Sequence, residues 1–453
     1  MAEAVIRADR VLLSTGWAGP RTVRLDGGVI ASIEPDGAAD HRVDILLPAP
    51  GNLHSHAFQR AMAGLTEHRS EASADSFWTW RALMYRFVEA LTPEAVEAIA
   101  AQLYVEMLEA GYASVGEFHY LHHQADGTPY AAVGEMAHRI AAAAAETGVG
   151  LTLLPVLYSQ GGADGRPLTG GQRRFGTDPR RFDALLDSAE SGLSALPDAV
   201  LGVAPHSLRA VPKGALAEIS THLPDAPIHM HIAEQVPEVE EIQAAYGARP
   251  VEWALTNLLI DDRWCLIHAT QMTPEETDGL ARTGAVAGLC PITEANLGDG
   301  IFDGGRYLHA GGAFGVGSDS NLRIGLAEEL RQLEHSQRLR DQARSVMAEP
   351  PKSVGRTLFE AAARGAAQAL GRGSGRIEIG ARADLVALDG EALALVGRQD
   401  DRLLDAWIFA GDDRVVRDVW SAGRHLVREG RHVGRDVIEA RFRVTLSALM
   451  DAL

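Results

Sequence analysis

Short apolar, β-branched runs alternate with longer runs rich in Ala, Leu and Glu through the middle of the chain. The short runs have the length of buried strands, and the longer runs have the length and periodicity of helices. The predicted strands are Ile45–Leu53, Ser114–Tyr120, Gly150–Leu157, Val200–Pro205, Pro227–Ala233, Cys265–Ala269, Ala285–Cys290 and Phe314–Gly317. The predicted helices between them include Pro93–Ala110, Tyr130–Thr147, Asp178–Leu193, Pro274–Thr283 and Ala327–Met347. This alternation predicts an α/β chain folded as a (β/α)8 TIM barrel.

The two ends of the chain follow a different pattern, with short strand-like pieces separated by Gly and Asp. In the N-terminal segment these pieces are Val23–Leu25 and Val29–Ile33. In the C-terminal segment they are Ile377–Gly380, Asp384–Leu388, Val415–Val419 and Gly423–Val427. Such spacing is typical of antiparallel strands joined by tight turns. We therefore predict one small β-sandwich built from residues 1–47 and 375–453, beside a catalytic barrel of residues 48–374.

The composition is that of a globular protein, and it limits the classes of partner that the protein can bind. The 453 residues carry a net charge of −19, which argues against a nucleic-acid partner because phosphate binding needs a basic face. No apolar run reaches the roughly 18 residues of a membrane span, and residues 1–7 lack the pattern of a signal peptide. Cys265 and Cys290 lie in apolar runs, as buried free thiols of a reducing compartment do. We therefore expect a cytoplasmic protein that does not bind membranes.

The carboxyl ends of the predicted strands carry the candidate chemistry. His54 and His56 follow the first strand, and side chains two residues apart in a strand point to the same face, where two imidazoles can share one cation. Catalytic groups of a (β/α)8 barrel lie at this end of the strands, and the ends of strands 5, 6 and 8 add His231, His268 and Asp319. Three histidines and one carboxylate suit Zn²⁺ with an open position for water, whose pKa the metal lowers to about 7. The pattern predicts a metalloenzyme.

These motifs together resemble the amidohydrolase superfamily. The features that carry the resemblance are His54-x-His56, His231-x-x-Glu234, the single His268 and Ser318-Asp319-Ser320. Ile379–Val386 is similar to the segment in which that superfamily returns to its β-sandwich, so the resemblance covers nearly the whole chain. It implies one Zn²⁺ per subunit, with Fe²⁺ or Mn²⁺ as alternatives because selectivity also depends on metal availability. The implied metal ligands are His54, His56, His231 and Asp319.

The scarcity of lysine bears on the number of metal ions. Binuclear members of that superfamily bridge two metals with a carboxylated Lys at the end of strand 4, where this chain has His206. Its nearest lysine, Lys213, is expected to begin the next helix. A mononuclear site is therefore favoured. The His231-x-x-Glu234 spacing likewise resembles the deaminase branch, in which the glutamate carries a proton to the leaving nitrogen.

Longer segments resemble one family of that branch, the formimidoylglutamate deiminases. These segments are Asn52–Gly64, Phe77–Arg81 with Met84 and Tyr85, Gly116–His122 and Ala204–Arg209. The resemblance implies hydrolysis of N-formimino-L-glutamate to N-formyl-L-glutamate and ammonia, a step of histidine degradation. The implied catalytic residues are Glu234, His268 and Asp319.

A small substrate with two carboxylates needs cationic and hydroxyl donors around the metal, because the overall charge of the chain repels it. Arginine suits this role since its planar fork can meet a carboxylate with two parallel hydrogen bonds. Arg81 and Arg209 are the best candidates, and Arg60 competes for the same role. Trp78 and Trp80 are interpreted as packing residues. The full set of predicted substrate-binding residues is Gln59, Arg81, Tyr120, His206 and Arg209.

Other interpretations stay open on the sequence alone. A histidine cluster follows strand 2 and consists of His119, His122 and His123. We interpret these side chains as polar groups at the barrel rim in preference to a second metal site. His229 shares a strand face with His231 and is expected deeper in the barrel. The alternative functions are a deaminase of a guanine- or cytosine-like base and, more remotely, a barrel scaffold without catalysis. Dimers are common among such barrels, so a homodimer is expected by analogy.

Overall fold

The computed structural model describes residues 3–67 and 77–452. The start of the chain forms five strands with buried positions along one face. They are β1 (Ala4–Leu13), β2 (Gly16–Ala18), β3 (Arg21–Asp26), β4 (Val29–Pro35) and β5 (His41–Pro48). Gly27 and Gly28 adopt φ angles of 58° and 85° between β3 and β4, a left-handed backbone that glycine tolerates and that a two-residue hairpin requires.

The middle of the chain supplies the strands of a barrel. Nearly every residue in them is buried, because helices cover the outer face and side chains fill the interior. They are β6 (Gly51–Ser55), β7 (Ser114–His119), β8 (Gly150–Leu157), β9 (Val200–Leu201), β10 (Ala204–Pro205), β11 (Ile228–Ile232), β12 (Trp264–His268), β13 (Val286–Leu289) and β14 (Ala313–Val316). β9 and β10 are the two short parts of the fourth barrel strand.

The barrel is closed by backbone pairing at two seams. β6 to β10 form one parallel group and β11 to β14 form a second. Single bridges between Val203 and Ile228 and between Ser55 and Asp319 join the two groups. The predicted (β/α)8 barrel is confirmed.

The helices lie between and around the strands. They are α1 (Phe77–Ala90), α2 (Pro93–Glu109), α3 (Glu135–Thr147), α4 (Phe182–Gly192), α5 (Lys213–His222), α6 (Val236–Tyr246), α7 (Pro250–Asn257), α8 (Pro274–Ala281), α9 (Pro291–Leu297), α10 (Gly304–His309), α11 (Leu326–Asp341), α12 (Val354–Ala369), α13 (Asp401–Ala410) and α14 (Arg435–Ala452). Thr92 and Thr273 cap α2 and α8 by accepting hydrogen bonds from backbone N–H groups, and a Pro follows each in the first turn, where its missing N–H costs nothing.

Several predicted elements differ from the structure. The strand predicted over Ile45–Leu53 is two strands, β5 and β6, because Pro48 and Pro50 lack the N–H that a continuous ladder needs. The piece Ile377–Gly380 forms a turn instead of a strand, with Gly380 at a φ of 86°. The helix predicted over Ala327–Met347 ends at Asp341. α12, which packs against β14, was not among the predicted helices.

As predicted, both ends of the chain build one β-domain, and its strands form a single sheet where a β-sandwich was expected. Its C-terminal strands are β15 (Leu385–Leu388), β16 (Val416–Ser421), β17 (Arg424–Arg428) and β18 (Arg431–His432). The strand order is β18-β17-β16-β15-β5-β1-β3-β4, with β2 paired to β1. The two ends meet where β15 runs antiparallel to β5, with Val386 opposite Leu47. β1 and β5 are parallel, which the expectation of purely antiparallel strands missed. α14 lies against α2 of the barrel, and the domain boundaries at residues 48 and 375 stay a prediction.

A buried ion network fastens the terminal sheet to the barrel. Arg372, after α12, donates to Asp384 over 3.1 Å and to Asp198, just before β9, over 3.2 Å. Arg424 of β17 also donates to Asp198, at 2.8 and 2.9 Å. Burial opposes ionisation of Asp198, but the two arginines outweigh it and hold the pKa of that carboxyl below its ordinary value of 3.8. The carboxylate therefore joins two parts of the fold.

No helix within residues 3–67 and 77–452 combines the length and apolar character that a membrane crossing requires.

Asp198→Asn leaves the buried guanidinium of Arg372 and the partly buried one of Arg424 short of a counter-charge. We expect the free energy of unfolding at pH 7 to fall by about 3 kcal/mol, measured by urea denaturation. Because folding lowers the pKa of Asp198, its contribution is present above the ordinary value and is lost as the pH falls below 3.8 through the lowered pKa. The difference in the free energy of unfolding between variant and wild type should therefore shrink in that range.

The control Asp187→Asn changes an exposed residue of α4 and should shift stability by less than about 0.5 kcal/mol. A difference that does not depend on pH contradicts this account.

Candidate active site

Four side chains converge at the carboxyl ends of barrel strands 1, 5 and 8. The Nε2 atom of His54 lies 3.2 Å from Nε2 of His56 and 3.1 Å from Nε2 of His231. Oδ1 of Asp319 lies 3.4 Å from His54 Nε2 and 3.1 Å from His56 Nε2. All four residues are buried. The predicted ligand set is therefore one compact cluster with its donor atoms pointing at a common centre.

Backbone pairing places Asp319 in this cluster. The N–H of Asp319 donates to the carbonyl of His54 over 3.0 Å, and its carbonyl accepts from the N–H of His56 over 3.0 Å. Asp319 has a φ of 45°, a left-handed conformation that a residue other than glycine adopts only when its surroundings impose it. The barrel thus closes on the residue that completes the candidate metal site.

The donor set fits a divalent metal ion. Donors about 2.0–2.1 Å from a tetrahedral centre lie about 3.4 Å from one another, close to the separations seen here. Nδ1 of His56 donates to the carbonyl of Phe118, and Nδ1 of His231 donates to that of His206. These bonds leave both Nε2 atoms as lone-pair donors. Three lone pairs at such short distances repel one another, and a bound cation removes that repulsion.

The electrostatics of the cluster agree with this assignment. Burial lowers the pKa of His54 to about 3 and that of His231 well below its ordinary value. Burial alone raises the pKa of Asp319, but its contacts with His54 and His56 outweigh burial and hold the pKa well below the usual range. Neutral imidazoles and an ionised carboxylate are the protonation states that metal binding requires.

A buried network of hydrogen bonds surrounds the cluster. Nδ2 of Asn52 donates to Oγ of Ser318 over 2.6 Å, and this hydroxyl donates to Oδ1 of Asn321 over 2.6 Å. Nδ2 of Asn321 donates to Oγ of Ser55 at 3.2 Å and to the carbonyl of His56 at 3.0 Å. The network joins β6 to the loop after β14 and orients the backbone on both sides of the metal site.

Glu234 and His268 lie beside the cluster. Oε1 of Glu234 is 3.7 Å from Nε2 of His268, whose Nδ1 lies 3.3 Å from Oε1 of Glu294. Burial opposes protonation of His268, but Glu234, Glu294 and Asp319 outweigh it and raise the pKa to about 10. Burial also raises the pKa of Glu234 above its ordinary value. The pair can therefore hold and transfer a proton next to the metal site.

The cluster opens into a small cavity. Its walls combine aromatic rings with charged and hydroxyl groups. The lining residues are His56, Gln59, Trp80, Arg81, Met84, Tyr85, Tyr120, Tyr158, Phe175, His206, Arg209, His231, Glu234, His268, Leu297 and Asp319. Every predicted substrate-binding residue is among them. Their individual roles stay predictions.

The polar groups of the wall are held in place by one another. Nε2 of Gln59 donates to the hydroxyl of Tyr120 over 2.6 Å. Arg81 donates to the hydroxyl of Tyr158 over 3.1 Å. Burial lowers the pKa of His206 well below its ordinary value, so its imidazole is neutral. Arg209 is buried, and its Nε has no hydrogen-bond partner among the described residues. Both guanidinium groups thus belong to the cavity wall.

The structure decides several alternatives. Arg60 lies outside the cavity, where it donates to Glu106 at 2.6 Å and to backbone carbonyls, so it does not compete for substrate. His229 donates to the carbonyl of Ala369 instead of pointing at the cluster. Lys213 begins α5 and lies 4.0 Å above the ring of Tyr246. Strand 4 thus supplies His206 and no lysine to the site.

The other histidine cluster and the tryptophans have different surroundings. His122 donates to the carbonyl of Val156 in β8, and His123 donates to that of Gly176. Within the described ranges these two and His119 do not meet as three metal donors. Trp80 packs against the core and also lines the cavity, so its interpretation as a packing residue alone was incomplete. The side chain of Trp78 lies outside the described residues.

Sequence reasoning missed Tyr158, Glu294 and Asn321. Tyr158 directly follows β8, so the rule that barrel sites lie at strand ends pointed to it. Asn321 directly follows the Ser318-Asp319-Ser320 motif, which had been singled out only for Asp319. Glu294 lies on α9 and contacts His268 from outside the strands, a contact that no spacing in the sequence indicates.

Residues 45–426 match the model of the amidohydrolase family. The chain belongs to this family. A formimidoylglutamate deiminase of Pseudomonas aeruginosa is 49% identical over 456 residues, which cover 99% of this amidohydrolase and 100% of that protein.

Solved structures show the same fold. An amidohydrolase from Brucella melitensis has 51% sequence identity and a TM-score of 0.94, with 99% of this chain and 100% of that chain covered. An adenosine deaminase from Xanthomonas campestris, crystallised with bound zinc, has a TM-score of 0.80 over 99% of this chain and 98% of its own. At 23% identity, this second likeness concerns the fold alone.

Asn321→Ala removes the amide that supports the backbone of His56 without touching a metal donor. We expect the affinity for Zn²⁺ to fall about 10–100-fold, measured by competition with a chelator. Asn296→Ala, an exposed position on α9, is the matched control and should bind Zn²⁺ like the wild type. Equal affinity in both variants would show that the network does not support the metal site.

Proposed function

We propose that this amidohydrolase uses one Zn²⁺ per chain to hydrolyse N-formimino-L-glutamate to N-formyl-L-glutamate and ammonia. The observation that carries the proposal is the 49% identity, along both whole chains, with a formimidoylglutamate deiminase. The cavity agrees with it, because a metal-type cluster and a proton-transfer pair face two arginines across one small space. Nucleobase deamination is not favoured, since a flat neutral base gives Arg81 and Arg209 no carboxylate to bind.

Substrate binding follows from the wall of the cavity. We assign the two substrate carboxylates to Arg81 and Arg209, whose guanidinium groups form charge-assisted hydrogen bonds with anions. Gln59 and Tyr120 present an amide and a hydroxyl beside them, and the neutral imidazole of His206 adds a donor without adding charge. The formimino group then points toward Glu234.

The reaction adds water to the formimino carbon and breaks its bond to the terminal nitrogen. A bound divalent metal supplies a Lewis acid that makes water nucleophilic at neutral pH. Asp319, His268 and Glu234 orient the water, and Glu234 accepts its proton. His268 stabilises charge that develops near the attacking oxygen. Glu234 then protonates the terminal nitrogen, which leaves as ammonia, and Asp319 accepts the remaining hydroxyl proton as the carbon becomes a formyl group.

The remaining parts of the proposal concern the protein's setting. We propose a cytoplasmic enzyme of histidine degradation that acts as a homodimer on a small dianion, without nucleic-acid or membrane partners. Fe²⁺ and Mn²⁺ suit the same ligands as Zn²⁺. The net charge of −19 supports the absence of a nucleic-acid partner.

Ammonia release from N-formimino-L-glutamate by the purified Zn²⁺-loaded protein tests the function. Guanine, cytosine and N-formimino-glycine serve as comparison substrates. Turnover of N-formimino-L-glutamate alone supports the proposal, and the glycine derivative shows whether the side-chain carboxylate is recognised. Turnover of a nucleobase in its place overturns the substrate assignment and leaves the metal site intact.

Glu234→Gln keeps the shape of the side chain and removes its proton transfer. We expect kcat to fall by at least about 10²–10⁴-fold, while metal analysis shows the same Zn²⁺ content as in the wild type. Glu240→Gln, an exposed position of α6, provides the control and should keep full activity. Activity retained by Glu234→Gln would exclude this residue as the proton carrier.

Arg81→Met and Arg209→Met remove the guanidinium groups and preserve much of the side-chain volume. Each should raise KM for N-formimino-L-glutamate about 10–100-fold, as expected for a lost hydrogen bond to a charged group, with a smaller change in kcat. Arg402→Met, on an exposed part of α13, should leave KM unchanged. Unchanged KM values in both cavity variants would place the substrate carboxylates elsewhere.

A further inference from the structure

Close to Glu234 lies a buried carboxylate, that of Asp299, which the reaction scheme does not use. Asp299 follows α9 and is only 3% exposed. Its N–H donates to the carbonyl of Glu294 over 3.0 Å, and its Oδ1 accepts from the amide of Gln235. Oδ2 is buried and has no hydrogen-bond partner in the part of the chain that the structure describes. A buried, unpaired carboxylate oxygen is costly unless a donor reaches it.

Asp299 belongs to a cluster with the proton-transfer pair. Donor atoms of Asp299, Glu234 and His268 all lie within 4.8 Å of one another. Two acceptors at such a separation can both receive hydrogen bonds from one small cation at about 2.8 Å. Glu234 and His268 line the cavity, and Asp299 adjoins them. Through these two residues the cluster borders the space beside the candidate metal site.

The charges around Asp299 favour a cation there. Glu234, Glu294 and Asp319 contribute negative charge, and His268 opposes them. Glu238 adds another buried carboxylate, whose Oε2 accepts from the N–H of Glu234 and whose Oε1 is unpaired among the described residues. Burial, together with the charges of Glu234, Glu294 and Asp319, raises the pKa of Asp299 to about 9. A positive ligand between the carboxylates relieves their repulsion.

We propose that Asp299 and Glu234 form a subsite for a nitrogen cation, namely the protonated terminal nitrogen of the substrate and the ammonium ion into which it is released. This inference rests on the proposed function and adds the group that recognises the substrate's positive end. An amidine is protonated at neutral pH, and ammonia that takes up a proton becomes a cation of similar size. Both offer N–H donors to the free oxygen of Asp299, and neither N-formyl product nor water carries that charge.

Inhibition kinetics separate recognition of the nitrogen cation from recognition of the carboxylates. In Asp299→Asn, kcat/KM for N-formimino-L-glutamate should fall at least about tenfold, the effect of a lost charge-assisted hydrogen bond. The inhibition constant of N-formyl-L-glutamate, which has the same carboxylates and no cationic nitrogen, should change by less than about twofold. Asp225→Asn, an exposed aspartate, is the matched control. An unchanged kcat/KM, or an equal loss for both ligands, overturns the subsite.

A binding measurement tests the subsite independently of turnover. Ammonium chloride should raise the Tm of the wild-type metalloprotein more than tetramethylammonium chloride at the same concentration, because only ammonium donates hydrogen bonds and binding stabilises the folded state. Asp299→Asn should lose this difference, and Asp225→Asn should keep it. Equal responses to the two salts in the wild type overturn the subsite. A wild type inactive on N-formimino-L-glutamate but stabilised selectively by ammonium would refute the proposed substrate and support the cation site.

Discussion

The closing seam of the barrel is the constraint on which the rest of the site depends. The two backbone hydrogen bonds between Asp319 and the His54–His56 segment join the last strand position to the first. The same bonds bring the carboxylate of strand 8 to the histidines of strand 1. The fold and the metal site therefore form together, since the ligand set is complete only when the eight-stranded ring is closed. The left-handed backbone of Asp319 is tolerated because both sides of the seam impose it.

The charged groups around the metal donors fall into two sets. One set is Arg81 and Arg209, to which the proposed function assigns the substrate's carboxylates. The other set gathers Glu234, Glu294 and Asp299 around His268. Under the proposed function, a substrate that is negative at one end and positive at the other is oriented by these charges before any chemistry occurs. Such preorganised charge is the usual source of the largest catalytic contributions, since it needs no rearrangement during the reaction.

The sequence was enough to predict the site residues that lie at the ends of barrel strands. His54, His56, His231 and Asp319 stand at strand ends, so a parallel barrel must bring them to one edge. The sequence was not enough to predict the site residues that reach the site from helices and loops. Glu294 and Asp299 approach the site from α9 and its following loop, and no local pattern encodes that approach. In the same way, the prolines that divide β5 from β6 were visible, yet only the sheet pairing shows that β5 belongs to the other domain.

The pairing of β5 with β15 also has a consequence for the order of folding. Leu47 and Val386 face each other in the sheet, although the whole barrel separates them along the chain. At a translation rate of about 5–20 residues per second, roughly 20–70 s pass between their emergence from the ribosome. During that interval β5 presents an unpaired edge, which is a site for misassociation. The N-terminal sheet is therefore the part of the nascent chain most exposed to misassociation. Its protection is complete once the last 70 or so residues, roughly the size of one small domain, have been synthesised.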